Sequence, residues 1–271
     1  MSIKDVFRKL DKHSEGALIA YVTGGDPTPK HTPMIIEALV NGGADIIEIG
    51  IPFSDPIADG PIIQAAGDRA LKAGTTPQTI LKIVNEAKKK VDVPIVLLTY
   101  FNILFKTGVD NFLKIGNRHG VDGLIIPDLP IEEAENYREY AHKQSIDTIF
   151  LATPATSKNR LENIIDFTSG FLYLVSVFGI TGTRERLDQL TTNAIKKFKP
   201  FTSESSPLAV GFGISKSEHV RSVINNGADG AIVGSAFVKI IENNLNNSSN
   251  LLSDISNFAM SLKSATITKN Q

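Results

Sequence analysis

The sequence predicts one fold of the α/β class, a single (β/α)₈ TIM barrel spanning residues 1–271, and three observations carry that prediction. Eight short, nearly continuous apolar runs alternate with longer stretches of helical period. One helix-to-strand junction, Gly-x-Asp, recurs three times. The length of 271 residues suits eight βα units, which need about 250. A doubly wound open sheet is the competing architecture, but its first strand usually runs into a glycine-rich dinucleotide turn. Here the first strand is followed by Thr23-Gly-Gly-Asp-Pro27, a different pattern.

Taken in order, the chain opens on Met1-Ser-Ile-Lys-Asp-Val-Phe-Arg-Lys-Leu10, whose apolar spacing predicts an extra amphipathic N-terminal helix. It lacks the apolar centre of a signal peptide. Buried strands are expected at Ala17–Val22, Asp45–Ile49, Pro94–Tyr100, Gly123–Pro127, Thr148–Leu151, Phe171–Val175, Pro207–Gly211 and Gly230–Val233. None shows polar alternation, as befits parallel strands covered on both faces. Thr76-Pro77 supplies an N-cap and a first-turn proline for a helix whose face is Ile80, Ile83, Val84 and Ala87. Gly43-Ala-Asp45, Gly120-Val-Asp122 and Gly227-Ala-Asp229 each end a helix with the glycine that a left-handed stop favours. Ser215-Lys-Ser-Glu218 reads as a capping box before Val220, Val223 and Ile224. Additional short helices fill the connections. Asn243–Asn250 is a polar loop before a last helix at Leu251–Leu262, and Ser264–Gln271 is expected to fray.

Composition narrows the function. Hydrophobic residues make up 42% and charged residues 21%, with 28 basic against 29 acidic, so no nucleic-acid footprint is expected. Cysteine is absent, which excludes disulfides, thiolate metal sites and thiol nucleophiles. The five histidines are scattered without metal-ligand spacing, so no metal is expected. No apolar run is as long as a membrane span, and a cytoplasmic protein without membrane contact follows as an expectation.

Barrels of this type place chemistry at the C-terminal ends of their strands. Those ends are mostly small or neutral, except for Glu48 in Asp45-Ile-Ile-Glu-Ile-Gly50. If Ile47 and Ile49 face the helices, Glu48 faces the barrel mouth. A carboxyl there has a raised pKa and suits acid–base work. The alternative is a structural ion pair, for which no strand supplies Lys or Arg, so Arg184 or Arg186 would have to reach in from a loop. The long loop that follows holds Asp55 and Asp59, either of which could simply serve a turn. Its Phe53 and isoleucines are expected on an exposed edge where a partner can dock. Gly211-Phe-Gly213 after the seventh run and Gly234-Ser235 after the eighth form the paired glycine loops with which barrels grip phosphate. Gly179-Ile-Thr-Gly-Thr-Arg184 has glycine hinges suited to a lid. Tyr21, Leu98, Tyr100, Ile125, Leu151, Tyr173 and Phe212 could wall a flat apolar ligand. The residues alone therefore point to a phosphorylated substrate with an apolar part, handled by carboxylates.

With Glu48, Phe53-Ser-Asp-Pro-Ile-Ala-Asp-Gly-Pro61 and Gly179-Ile-Thr-Gly182 in view, the chain resembles the tryptophan synthase alpha subunit family. The likeness runs from Tyr21-Val-Thr-Gly-Gly-Asp-Pro27 through Thr99-Tyr-Phe-Asn102 and Asp128-Leu-Pro130 to Gly211-Phe-Gly-Ile-Ser215 and Gly234-Ser235. It implies a carbon–carbon lyase of L-tryptophan biosynthesis that cleaves indole-3-glycerol phosphate to indole and glyceraldehyde 3-phosphate. By the same resemblance Glu48 and Asp59 are the catalytic carboxylates. Gly182, Phe212, Gly213, Gly234 and Ser235 would surround the phosphate, and Thr181 would also bind the substrate. Leu98, Tyr100, Ile125, Tyr173 and Phe212 would surround the indole, and Tyr21 would also bind the substrate. Tyr21 stands where Phe is frequent, and Val177 replaces an Arg found in some members. The resemblance further implies no cofactor in this chain. It implies a beta subunit carrying pyridoxal phosphate (PLP), joined in an alpha2beta2 heterotetramer. A related barrel, indole-glycerol-phosphate synthase, would need a lysine inside the barrel, which these runs lack.

Overall fold

The computed structural model describes residues 1–176, 189–202, 206–245 and 249–267. Among them, nine strand segments form one sheet: β1 (Ala17–Thr23), β2 (Ile46–Gly50), β3 (Ile95–Leu98), β4 (Gly123–Ile125), β5 (Asp147–Ile149), β6 (Leu151–Ala152), β7 (Leu172–Val175), β8 (Leu208–Gly211) and β9 (Gly230–Val233). Their hydrogen-bonded order is β5-β4-β3-β2-β1-β9-β8-β7-β6, and every pairing is parallel. Only Phe150 separates β5 from β6. These two halves are one stave, pairing with β4 at its start and with β7 at its end. The ring is thus closed by eight staves, the α/β barrel that the apolar runs predict.

Alternation along each strand builds two cores. Ile19, Ile46, Val96, Leu98, Ile125, Ile149, Tyr173, Ala209 and Ile232 point inward and pack together. Leu18, Ala20, Ile47, Ile49, Ile95, Leu97, Leu124, Leu174, Val210, Ala231 and Val233 face the helices. The N-terminal helix Ile3–Asp11 starts with a capping box, in which Ser2 Oγ accepts the Asp5 N–H at 3.1 Å and Asp5 accepts the Ser2 N–H at 3.3 Å. Its Ile3, Val6, Phe7 and Leu10 join the inner core, and the Phe7 and Phe171 rings sit 6.1 Å apart. This helix plugs the barrel's base.

The repeated junction is a repeated device. Gly43, Gly120 and Gly227 stand at φ of +94°, +90° and +103°, ending their helices as expected. In each case the following aspartate accepts a backbone N–H from the neighbouring strand. Asp45 holds Leu18 at 2.8 Å, Asp122 holds Ile95 at 2.7 Å and Asp229 holds Leu208 at 2.8 Å. A lysine closes each junction: Lys263, Lys88 and Lys199 respectively.

Three local expectations are corrected. The third strand is shorter than Pro94–Tyr100, ending at Leu98: Thr99 still gives its N–H to Ile125 at 3.0 Å, but Tyr100 is already the N-cap of the helix Phe101–Thr107. The capping box at Ser215 does not form: the helix Ser217–Asn225 begins after Lys216 without a side-chain cap. Ser215 instead gives its N–H to His219 Nδ1 at 3.3 Å, since the loop after β8 is still turning. The C-terminal segment is packed as far as Ile267, with Ala265 and Thr266 buried and Ile267 bridged to Glu15. Thr76 caps its helix as predicted, accepting the Thr79 N–H at 3.2 Å.

Candidate active site

β2 delivers the first acid. Glu48 lies in register with Tyr21 of β1 and Val96 of β3, its side chain turned into the barrel mouth. The residue is 1% exposed, and its Oε2 has no hydrogen-bond partner among the described residues. Loss of hydration, reinforced by the charge of Asp59, pushes the Glu48 pKa from its ordinary 4.5 up to about 8. The arginines considered as ion-pair partners, Arg184 and Arg186, fall outside the described residues.

The loop over residues 51–60 delivers the second acid and separates its two aspartates. Asp55 is exposed and takes the Ser54 hydroxyl at 2.6 Å, so it serves the turn. Asp59 is turned inward; burial raises its pKa, and a hydrogen bond from Tyr100 draws it back. The same Tyr100 hydroxyl accepts the Ala58 N–H at 3.1 Å, so one phenol ties the loop to the end of β3. Phe53 does not stand on an exposed edge. It is half-buried, with its ring 5.2 Å from that of Tyr100. Ile57 is the outward apolar residue, 79% exposed.

Two tyrosines wall the mouth through paired close approaches. A β-carbon at Gly50 would lie 2.2 Å from the Tyr21 hydroxyl oxygen, and one at Gly211 would lie 2.3 Å from that of Tyr173. Both glycines therefore make room for a phenol. Beyond β8, Phe212 and Gly213 take φ of +67° and +73°. For phenylalanine that conformation is strained, and the buried Ser176 hydroxyl holds its carbonyl. The helix Ser235–Asn243 starts at Gly234, which supplies no side-chain cap, and a helix start of this kind offers its first N–H groups to an anion.

These parts enclose a cavity of about 150 Å³, lined by Tyr21, Glu48, Ala58, Asp59, Gly60, Ile63, Leu98, Tyr173, Phe212, Gly213, Ile214, Ile232, Gly234 and Ser235. A proton donor, a carboxylate, an apolar slot and an anion-ready helix start thus share one space. The family model for the tryptophan synthase alpha chain matches residues 7–267. The chain belongs to the tryptophan synthase alpha chain family. A tryptophan synthase alpha chain from Solibacter usitatus is 47% identical over 239 residues, covering 88% of each chain. The crystal structure of the tryptophan synthase alpha subunit from Legionella pneumophila superposes with a TM-score of 0.89, at 32% identity and 98% coverage of both chains. A structure from the tryptophan synthase a2b2 complex of Pyrococcus furiosus has a TM-score of 0.85 at 42% identity, covering 92% of this chain and 98% of that one. Members of the alpha chain family are lyase-type enzymes of tryptophan biosynthesis.

Of the positions that the alpha chain resemblance marks, the cavity brings together Tyr21, Glu48, Leu98, Asp59, Tyr173, Phe212, Gly213, Gly234 and Ser235. Ile125 does not reach it, being fully buried in the inner core below. Tyr100 acts from behind Asp59 rather than from the wall. Val177, Thr181 and Gly182 lie outside the described residues. The sequence reading missed Ala58, Gly60, Ile63, Ile214 and Ile232. Period-two alternation in Gly230–Val233 marks Ile232 as inward. Ile63 sits on the helix Pro61–Lys72, where no strand pattern signals it.

Proposed function

We propose that this chain cleaves indole-3-glycerol phosphate to indole and glyceraldehyde 3-phosphate, with Glu48 as proton donor and acceptor and Asp59 as electrostatic partner. The observation that carries this reading is the buried Glu48 carboxyl, its Oε2 without a partner among the described residues, sharing a cavity with Asp59. Indole is a poor carbanion leaving group, so its C3 must first gain a proton. A carboxyl with a pKa of about 8 is protonated at neutral pH and can supply it. Positive charge then develops toward N1, whose N–H an Asp59 carboxylate accepts. As the bond from C3 to the glycerol chain breaks, its electrons restore the indole ring. The hydroxyl on the departing carbon becomes the aldehyde, and Glu48 takes back that proton. The ring occupies the slot between Tyr21, Leu98 and Tyr173, while the phosphate meets Gly213 and the start of the helix Ser235–Asn243.

The cleavage uses no cofactor of this chain. Indole passes to a beta subunit carrying PLP, in an alpha2beta2 assembly, and the exposed Ile57 beside Asp59 gives that partner a foothold next to the chemistry. No helix among the described residues is long and apolar enough to cross a membrane, and the cytoplasm is the compartment we propose.

Indole release from indole-3-glycerol phosphate tests the reading. Glu48→Gln should lower turnover by about 10²–10⁴-fold with fold and binding kept, because positioned acid–base catalysis is worth that much. Asp59→Asn should also be severely impaired, and Asp55→Asn mild. A Glu48→Gln variant retaining more than about a tenth of parent turnover would overturn the assignment.

A further inference from the structure

An ion-pair network with one buried aspartate joins the two helices that open onto the cavity. Asp26, in the loop after β1, is fully buried and takes a two-pronged grip from Arg69, with Nε–Oδ1 and Nη2–Oδ2 both 2.8 Å. Arg69 belongs to the helix Pro61–Lys72, which starts one residue beyond Gly60 and two beyond Asp59. Its third nitrogen, Nη1, lies 3.6 Å from Glu242 on the helix Ser235–Asn243. Lys239 holds the other oxygen of Glu242 at 2.6 Å.

The spacing gives this network a consequence. Arg69 lies eight positions after Pro61, and Glu242 lies seven after Ser235. At a rise of 1.5 Å per residue, both are about 11 Å down helices that begin at the cavity. One helix start follows Asp59 and the other faces the anion. Ala66 and Val238 pack into the same inner core as Tyr21, so the two helices meet over β1. A guanidinium binds carboxylates in fixed planar geometry, which fixes direction as well as distance.

We propose that Arg69 is a positioning residue that sets the distance between the Asp59 end of the site and its phosphate end. The proposal rests on the functional reading above. Arg69 touches no substrate. It clamps both helices to one buried aspartate, so that a ligand spanning ring slot and anion site meets both at once. A misplacement of about 1 Å between such halves is enough to cost much of the benefit of linking them.

Binding of two probes tests this: glycerol phosphate, which needs only the anion end, and indole-3-propanol phosphate, an uncleavable analogue spanning both ends. Arg69→Lys keeps the charge but loses the fork. It should weaken the spanning analogue about tenfold while changing glycerol phosphate by less than about twofold, and raise KM for the substrate more than it lowers kcat. Glu242→Gln, at a partly exposed site that tolerates substitution, should shift the two probes in the same unequal way to a smaller extent. Equal losses for both probes, or no loss for either, would overturn the positioning role. Failure of the parent chain itself to bind the spanning analogue would instead overturn the functional reading, and the inference with it.

Discussion

Glu48 shows how one residue can carry a stability cost for the sake of chemistry. Its folded-state pKa of about 8 lies above its ordinary 4.5. Between those values the folded chain keeps a proton that the unfolded chain has released. The destabilisation is therefore absent below pH 4.5, grows as pH rises and is complete above about pH 8. Glu48→Gln should be more stable than the parent by about 2–4 kcal/mol at pH 8, and the two should converge at pH 4.5. Urea denaturation at both pH values checks this; equal stability at pH 8 would mean that Glu48 is not held protonated. Activity should fall along the same upper limb, since a deprotonated Glu48 has no proton to give. The placement of Glu48 was legible because the strand period is two and its neighbours are isoleucine. The residue pattern alone did not choose between Asp55 and Asp59; only the family resemblance did. Both sit in turn-like contexts, and what distinguishes them, burial at the cavity and the hydroxyl of Tyr100, 41 residues beyond Asp59, comes from the folded chain.

At the scale of elements, the loop over residues 51–60 depends on a helix that it does not contact through sequence neighbours. The helix Phe101–Thr107 starts at Tyr100, whose own side chain provides no cap. Asp128, from the end of β4, accepts the Phe101 N–H at 2.9 and 3.2 Å and does the capping instead. That bond sets where Tyr100 points, and Tyr100 sets where Ala58 and Asp59 stand. Asp128→Ala should cost about 1 kcal/mol as a lost cap. It should also lower turnover more than a change of that size in stability explains, because the loop loses its alignment. Parallel thermal melts and indole-release rates check it, and unchanged turnover would dissociate the cap from the loop. Elements with a local signal, such as Thr76-Pro77, were readable. Caps supplied from another strand were not, which is also why Ser215 misled: its spacing is right, but the loop from Gly211 still occupies it.

The whole molecule is held at its base by side chains and opened at its mouth for chemistry. Phe7 from the N-terminal helix fills the bottom of the inner core and is 6% exposed. Phe7→Ala should destabilise the protein by about 3–5 kcal/mol while leaving the substrate affinity of the folded fraction unchanged. Denaturation midpoints and low-temperature assays would separate the two; a loss of affinity at full folding would contradict the division between base and mouth. The barrel itself was readable from eight apolar runs, because burial on both faces leaves a strong compositional trace. The split of the fifth stave at Phe150 leaves none, since Ile149, Phe150 and Leu151 read as one continuous apolar run. Lys263 adds a constraint in time. It reaches Asp45, Glu15 and the Gly16 carbonyl from the last long helix, more than 200 positions away in sequence. A ribosome still holding that helix in its exit tunnel withholds the cation from a carboxylate already bonded to β1. Lys263 is translated after every strand of the sheet, so its tie to Asp45 forms only once all of them have been synthesised.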